Sequence, residues 1–231
     1  MVDKTVKIVS VGGSIIIPKS GFDIEFLKKF RALIVDRVKK GEKFILVIGG
    51  GATCRQYQEA ARQVVPLTDE DLDWIGIKTT VFNAEFVKFL FKEYAHTAVA
   101  TNPTKKIKTN KPIIIGAGWK PGCSTDKDAV LLAKTYGAKE VINLSNIDYV
   151  YDSDPRTNSN ARKIEKASWK EMRKIVGDKW TPGANVPFDP MAAKNAEKLK
   201  LVIKFVKGTN LDQVEKALTG KAYSGTIIGQ L

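Results

Sequence analysis

Three apolar runs in this chain each end on a cluster of glycines. Ile8-Val9-Ser10-Val11 leads into Gly12-Gly13-Ser14, Phe44–Ile48 into Gly49-Gly50-Gly51, and Pro112-Ile113-Ile114-Ile115 into Gly116-Ala117-Gly118, continuing to Pro121-Gly122. Short β-branched runs read as strands, and a wholly apolar one reads as a strand covered on both faces. In open α/β sheets, ligands gather beyond the carboxyl ends of the strands. Glycine lets the backbone approach a phosphate, and a following helix N-terminus offers unpaired N–H groups and a positive dipole. One such turn also serves as an ordinary strand-to-helix connection. Three in one chain point to a phosphate-binding edge. None is a G-x-x-x-x-G-K-[ST] loop, and none matches G-x-G-x-x-G, so neither of those nucleotide motifs applies.

Around these turns, strand and helix patterns alternate. Apolar residues at Phe22, Phe26, Phe30, Leu33, Ile34 and Val38 recur at helical spacing, so residues 22–40 are expected as a helix stopped by Gly41. Further helices are expected over residues 52–65, 68–94 (Thr68 and Asp71 suit its start), 126–136, 168–176, 189–199 and 211–218. Strands are expected over residues 5–11, 44–48, 97–100, 112–115, 140–144, 201–206 and 226–228, with a polar loop at 145–160. This alternation predicts an α/β fold whose parallel or mixed sheet is covered on both faces. A composition shift near residues 102–111 marks a soft boundary within one domain of residues 1–231.

Charge narrows the partners without choosing one. There are 38 Lys+Arg against 25 Asp+Glu, a formal net charge of +13. Such a field favours nucleic acid, an anionic membrane or a phosphate-bearing small molecule. The basic residues are spread along the chain, and the densest group, Lys105, Lys106 and Lys108, sits in a loop-like segment. Most read as solvated surface. No aromatic-basic RNA-binding signature occurs, so nucleic acid is not an expected partner. Two distant cysteines, Cys54 and Cys123, form no CxxC pair and offer no zinc site. A single histidine, His96, leaves Ser-His and multi-histidine chemistry poorly supplied. Residues 1–10 show no secretory apolar run, and no stretch approaches the ~20 apolar residues of a membrane helix. A cytoplasmic, membrane-free setting is expected.

Several residues near the turns are suited to chemistry. Arg55 follows the triple glycine on the first turn of its helix, where a guanidinium can grip phosphate oxygens bidentately. Its plain alternative is an exposed helix arginine. Asp73 can accept from sugar hydroxyls or a base N–H, although alone it reads as a helix-surface acid. Ser124, Thr125 and Asp126 end the third glycine loop and open a helix, as ordinary caps do. Asp126 can also order Mg²⁺ or orient a lysine. Asn146, Asp148, Tyr151 and Asp154 lie in the polar loop after a strand. That set suits adenosine, and equally a surface loop rich in Asx turns.

Six segments carry a resemblance: V-G-G-S at 11–14, G-G-G-A-T-C-R-Q-Y at 49–57, D-W-I-G-I-K-T-T-V-F-N-A at 73–84, P-G-C-S-T-D-K-D-A at 121–129, S-N-I-D-Y-V-Y-D-S-D-P at 145–155 and F-D-P-M-A-A-K-N-A at 188–196. In this order, across residues 6–229, they resemble the amino acid kinase superfamily, most of all its archaeal-type uridylate kinases. The resemblance implies a three-layer αβα sandwich with a mixed, mostly parallel central sheet. It implies an acceptor part in residues 1–104 and an ATP part in residues 105–231. Gly13, Ser14 and Gly51 would meet ATP phosphates beside Arg55, and Gly50 and Asp73 would hold UMP. Trp119, Lys120, Pro121, Gly122, Cys123, Ser124 and Thr125 would wrap its base and phosphate. Ser145, Asn146, Tyr151 and Asp154 would hold adenosine and nearby phosphate. The expected catalytic set is Gly13, Arg55 and Asp126, with Mg²⁺ entering on ATP and held mainly by phosphates. The resemblance also implies a homohexamer built as a trimer of dimers.

There are departures. Many members carry a lysine two residues before the first Gly-Gly, and Ser10 stands there instead, as in archaeal-type uridylate kinases. Lys120, Lys127 and Lys163 are the candidate replacements. Lys120 and Cys123 within their loop, and the segment Gly183-Ala184-Asn185-Val186-Pro187, are also unusual. Rival readings are an isopentenyl phosphate kinase, a carbamate or amino acid kinase, and a non-catalytic oxyanion or nucleotide binder.

Overall fold

A computed structural model describes residues 6–182 and 186–229. Gly183, Ala184 and Asn185 of the unusual segment, and Thr5 of the first expected strand, lie outside the described residues. Seven strands form one sheet in the order β3-β2-β1-β4-β8-β9-β7. They are β1 (Lys7–Val11), β2 (Phe44–Ile48), β3 (Ile113–Gly116), β4 (Glu140–Ser145), β7 (Lys166–Ala167), β8 (Val202–Lys207) and β9 (Gly225–Ile228). The five from β3 through β8 run parallel, β9 is antiparallel to β8, and β7 is parallel to β9.

Period-two alternation sends side chains to two separate cores. Val9, Val11, Phe44, Leu46, Ile48, Ile113 and Ile115 join one, and Ile8, Ile45, Val47, Ile114 and Val141 join the other. The helices α2 (Ile24–Lys39), α4 (Asp69–Leu90) and α8 (Leu211–Leu218) cover the first face. The second face is covered by α5 (Thr125–Tyr136), α6 (Trp169–Val176) and α7 (Pro190–Lys198). The expected three-layer αβα sandwich with a mixed, mostly parallel sheet is what the chain forms. Among the described residues no helix is long and apolar enough to cross a membrane.

Local signals set the boundaries. Thr68 and Asp71 form a reciprocal capping box at the start of α4, with Asp71 Oδ2 accepting the Thr68 N–H at 2.9 Å. Gly137, at φ +72°, closes α5 in the left-handed region. Three expectations change. Residues 97–100 do not form a strand; only Ala95 and Ala100 make isolated bridges to β3, and the backbone between them bends at residues 97 and 98. A one-turn helix, α1 (Gly13–Ile16), follows the first glycine turn, too short to show a period. The loop at 145–160 contains β5 (Val150–Tyr151), which pairs with β6 (Lys163–Ile164) and buries Val150.

Candidate active site

Because β3, β2, β1 and β4 are adjacent and parallel, their carboxyl ends open on one edge. The first two glycine turns touch there. A Cβ placed on Gly13 would lie 2.0 Å from the Gly51 nitrogen and 2.6 Å from the Gly49 carbonyl. Gly51, which opens α3 (Gly51–Val64), also has φ +67°. No side chain fits between these turns, so the edge presents bare main chain, as a polyphosphate requires.

α4 holds the turns in place. The buried Asn83 amide donates to the carbonyls of Gly49 and Gly50, each at 3.0 Å. The Thr80 hydroxyl accepts the Gly118 N–H at 2.9 Å and donates to the Ile77 carbonyl at 2.7 Å. Asp73 accepts the Gly122 N–H at 2.7 Å and the Trp180 indole N–H at 3.2 Å from each oxygen. Gln58 of α3 donates to the Leu72 carbonyl at 2.8 Å, tying α3 to α4.

These groups border a pocket of about 180 Å³. Of the residues expected at the acceptor, Gly50, Asp73, Trp119, Cys123, Ser124 and Thr125 line it, with Gly51 and Arg55 beside them. Arg55 is exposed, with no ion-pair partner among the described residues. Lys120, Pro121 and Gly122 are outside the lining, although the Lys120 ammonium rests 4.4 Å from the Trp119 ring centroid. Gly13 and Ser14 open α1 next to Gly51.

The residues expected around adenosine stand apart from this pocket. Ser145 ends β4, and its carbonyl accepts the Gly208 N–H at 2.8 Å. Asn146 is exposed. The Tyr151 hydroxyl donates to Asp148 at 3.2 Å. Asp154 chelates the Arg156 guanidinium at 2.6 and 3.0 Å, and this pairing pulls its pKa down to about 2. Lys163, a candidate for the missing cation, pairs with Glu165 at 2.9 Å and lies over the Tyr149 ring.

Beside the glycine edge lies a group of buried and half-buried carboxylates. Asp126 accepts from Ser10 at 3.0 Å and from Asn143 at 2.8 Å, so the hydroxyl of Ser10 is turned to a carboxylate. Asp189 caps α7 and accepts the Ser124 N–H at 2.6 Å, joining α7 to the third glycine loop. Asp128 accepts the Trp119 N–H at 3.2 Å, while its other oxygen is buried without a partner among the described residues. Thr80, Asn83, Asp128 and Asp189 sit inside motif segments, which was their only signal in the sequence. Asn143 and Trp180 had none.

The amino acid kinase family model matches residues 5–205. The chain belongs to the amino acid kinase family. It is similar to the uridylate kinase of Methanocorpusculum labreanum, with 32% identity over 225 residues, 96% of this chain and 94% of that protein. The Pyrococcus abyssi uridylate kinase is 35% identical over 190 residues, 80% of this chain and 83% of that one. Among solved structures, the uridylate kinase from Archaeoglobus fulgidus superposes with a TM-score of 0.78 at 30% identity, covering 96% of this chain and 99% of that one. A UMP kinase from Bacillus anthracis shares the fold, with a TM-score of 0.76 at 19% identity over 97% of this chain and 96% of its own.

In this amino acid kinase, burial pushes Asp126 up to about 6 and Asp128 up to about 7. The neighbouring Asp189 charge raises Asp126 further. Among the described residues no lysine bonds to Asp126, which leaves two carboxylates, Asp126 and Asp189, near enough for one to raise the pKa of the other. A divalent cation carried by phosphates fits that electronegative spot, since hard oxygens and phosphates are its usual ligands. The raised pKa values also set a pH dependence. Between about pH 4 and pH 7 the folded protein holds more protons at Asp126 and Asp128 than the unfolded chain does. Stability is therefore fully present below that window and declines as pH rises through it. Thermal melting of metal-free protein should show Tm falling from pH 5 to pH 8, with a flatter profile for Asp128→Asn. A Tm that climbs across the window would contradict this.

Proposed function

We propose that this amino acid kinase is a uridylate kinase, transferring the γ-phosphoryl group of ATP to UMP to give ADP and UDP. The observation that carries the reading is the contact between the Gly13 and Gly49–51 turns, directly beside a pocket holding Arg55 and Asp73. The match to uridylate kinases over nearly the whole chain supports it.

The acceptor already carries an anionic oxygen, so no general base is needed. The protein's work is alignment and charge neutralisation. Main-chain N–H groups of Gly13, Gly50 and Gly51 face the transferring phosphate, and Arg55 adds a bidentate cation. Mg²⁺ entering on ATP would supply further charge neutralisation, held mainly by the phosphates, with Asp126 the residue that could order it. Asp73 binds the acceptor through its sugar or base, with residues 119–125 around the base and phosphate. Ser145, Asn146, Tyr151 and Asp154 take the adenosine side, which gives an acceptor part in residues 1–104 and an ATP part in residues 105–231.

Two further parts of the reading have physical support. Trp74, Phe82 and Phe89 on α4 are 42%, 73% and 67% exposed, and apolar area of this kind favours a second copy of the chain. That suits a homo-oligomer, with a hexamer of three dimers as the expected assembly. The activity would place the enzyme in cytoplasmic pyrimidine nucleotide synthesis. An isopentenyl phosphate kinase reading is disfavoured, because the single histidine, His96, is anchored by its backbone N–H to the Ile113 carbonyl at the amino end of β3, away from the glycine edge.

Asp73→Asn tests the assignment of the two substrates. Steady-state kinetics should show the KM for UMP rising by about tenfold or more, the worth of hydrogen bonds to a charged group. A rise confined to the KM for ATP would reverse the acceptor and donor assignments.

A further inference from the structure

Trp180 lies three residues beyond Gly177, the C-cap of α6, yet its side chain reaches across to α4. Its indole N–H points at both oxygens of Asp73, 3.2 Å from each, while the Gly122 N–H takes Oδ2 at 2.7 Å. A carboxylate offers about four acceptor directions, so these contacts occupy most of them. Asp73 is only 8% exposed, which leaves little room for another donor. The pocket beside it, walled partly by Trp180, holds about 180 Å³. Pockets that enclose a small-molecule ligand usually start near 300 Å³. The indole therefore takes up both the hydrogen-bonding capacity and the space that an acceptor nucleotide needs.

We propose that Trp180 is a built-in competitor of the acceptor: the nucleotide binds by displacing the indole from Asp73, exchanging one N–H···carboxylate bond for its own hydroxyl or N–H donors. This rests on the reading of the pocket as the UMP site. Trp180 thus sets acceptor affinity, and it acts through Asp73 rather than on the reacting phosphates.

The test uses the full chain and UMP as the probe, with binding followed by calorimetry without ATP and turnover followed by ADP release. Trp180→Phe keeps a ring but lacks the N–H. UMP should bind about tenfold more tightly to it, the low end for removing a hydrogen bond to a charged group. The KM for UMP should fall with it, by a larger factor than any change in kcat, and the KM for ATP should stay put. Trp180→Leu should do the same if the phenylalanine variant folds poorly. In an Asp73→Asn background the Trp180→Phe gain should shrink, because a neutral amide oxygen holds the indole N–H more weakly than the carboxylate does. Equal or weaker UMP binding by the single variants would overturn the proposal and make Trp180 a supporting wall. Wild-type protein that consumes no ATP with UMP would instead overturn the functional reading, so the two failures are separable.

Discussion

Replacing Arg55 by alanine lowers turnover with UMP by about a hundredfold or more, the usual loss when a group stabilising transition-state charge is removed. At about 1.4 kcal/mol per tenfold, that is a loss of about 3 kcal/mol of barrier lowering. The expectation follows from position. Arg55 stands near the start of α3, four residues after the left-handed Gly51, and borders the pocket that contains Asp73. Its guanidinium is exposed and makes no ion pair among the described residues, so its charge is available to a ligand. Folding should be untouched, since the side chain is not packed. Steady-state kinetics with a parallel thermal melt checks both points. Near-normal turnover would remove Arg55 from the mechanism.

Gly13→Ala is expected to be the most damaging single methyl in the chain. Its Cβ would meet the Gly51 nitrogen at 2.0 Å and the Gly49 backbone at 2.6 Å, and none of these atoms belongs to a flexible side chain. Either β1 and β2 separate at their tips or the turns are pushed out of register. Overpacking of this kind costs about 1–3 kcal/mol, with larger values where backbone must move. Activity should fall further than stability, because an ångström of misplacement at the reacting groups costs about a hundredfold in rate. Gly122→Ala is the control. Unlike Gly13 it has positive φ, at +89°, but its Cβ would meet nothing within 4 Å, so its cost is backbone strain alone. Urea denaturation of both variants would check the ranking, and a Gly13→Ala protein as stable and active as Gly122→Ala would contradict the close contact of the turns.

The fold was legible where composition and period agree. Phe44–Ile48 is apolar at every position and is buried at every position, because a central parallel strand is covered on both faces. The amphipathic spacing of residues 22–40 marked α2, and Thr68 with Asp71 marked the start of α4. Elements too short for a period were not legible: α1 has four residues, and β5, β6 and β7 have two each. Their formation depends on partners distant in sequence, as when Thr226 accepts the Val150 N–H at 2.9 Å. The site divides the same way. Glycine turns and Arg55 announce themselves by local chemistry. Trp180 meets Asp73 across 107 positions, and Asn143 meets Asp126 only because β4 pairs beside β1. Such contacts are products of topology, and one sequence alone carries no trace of them.

The most direct measurement is ADP release from Mg-ATP by the purified full chain, compared across UMP, CMP, dUMP, isopentenyl phosphate and acetylglutamate. Two converging phosphate cradles beside an Asp73 pocket predict rapid release with UMP and little with isopentenyl phosphate or acetylglutamate. Release that is insensitive to UMP, or strongest with acetylglutamate, would contradict the reading of that edge as a nucleotide-to-nucleotide phosphoryl transfer site.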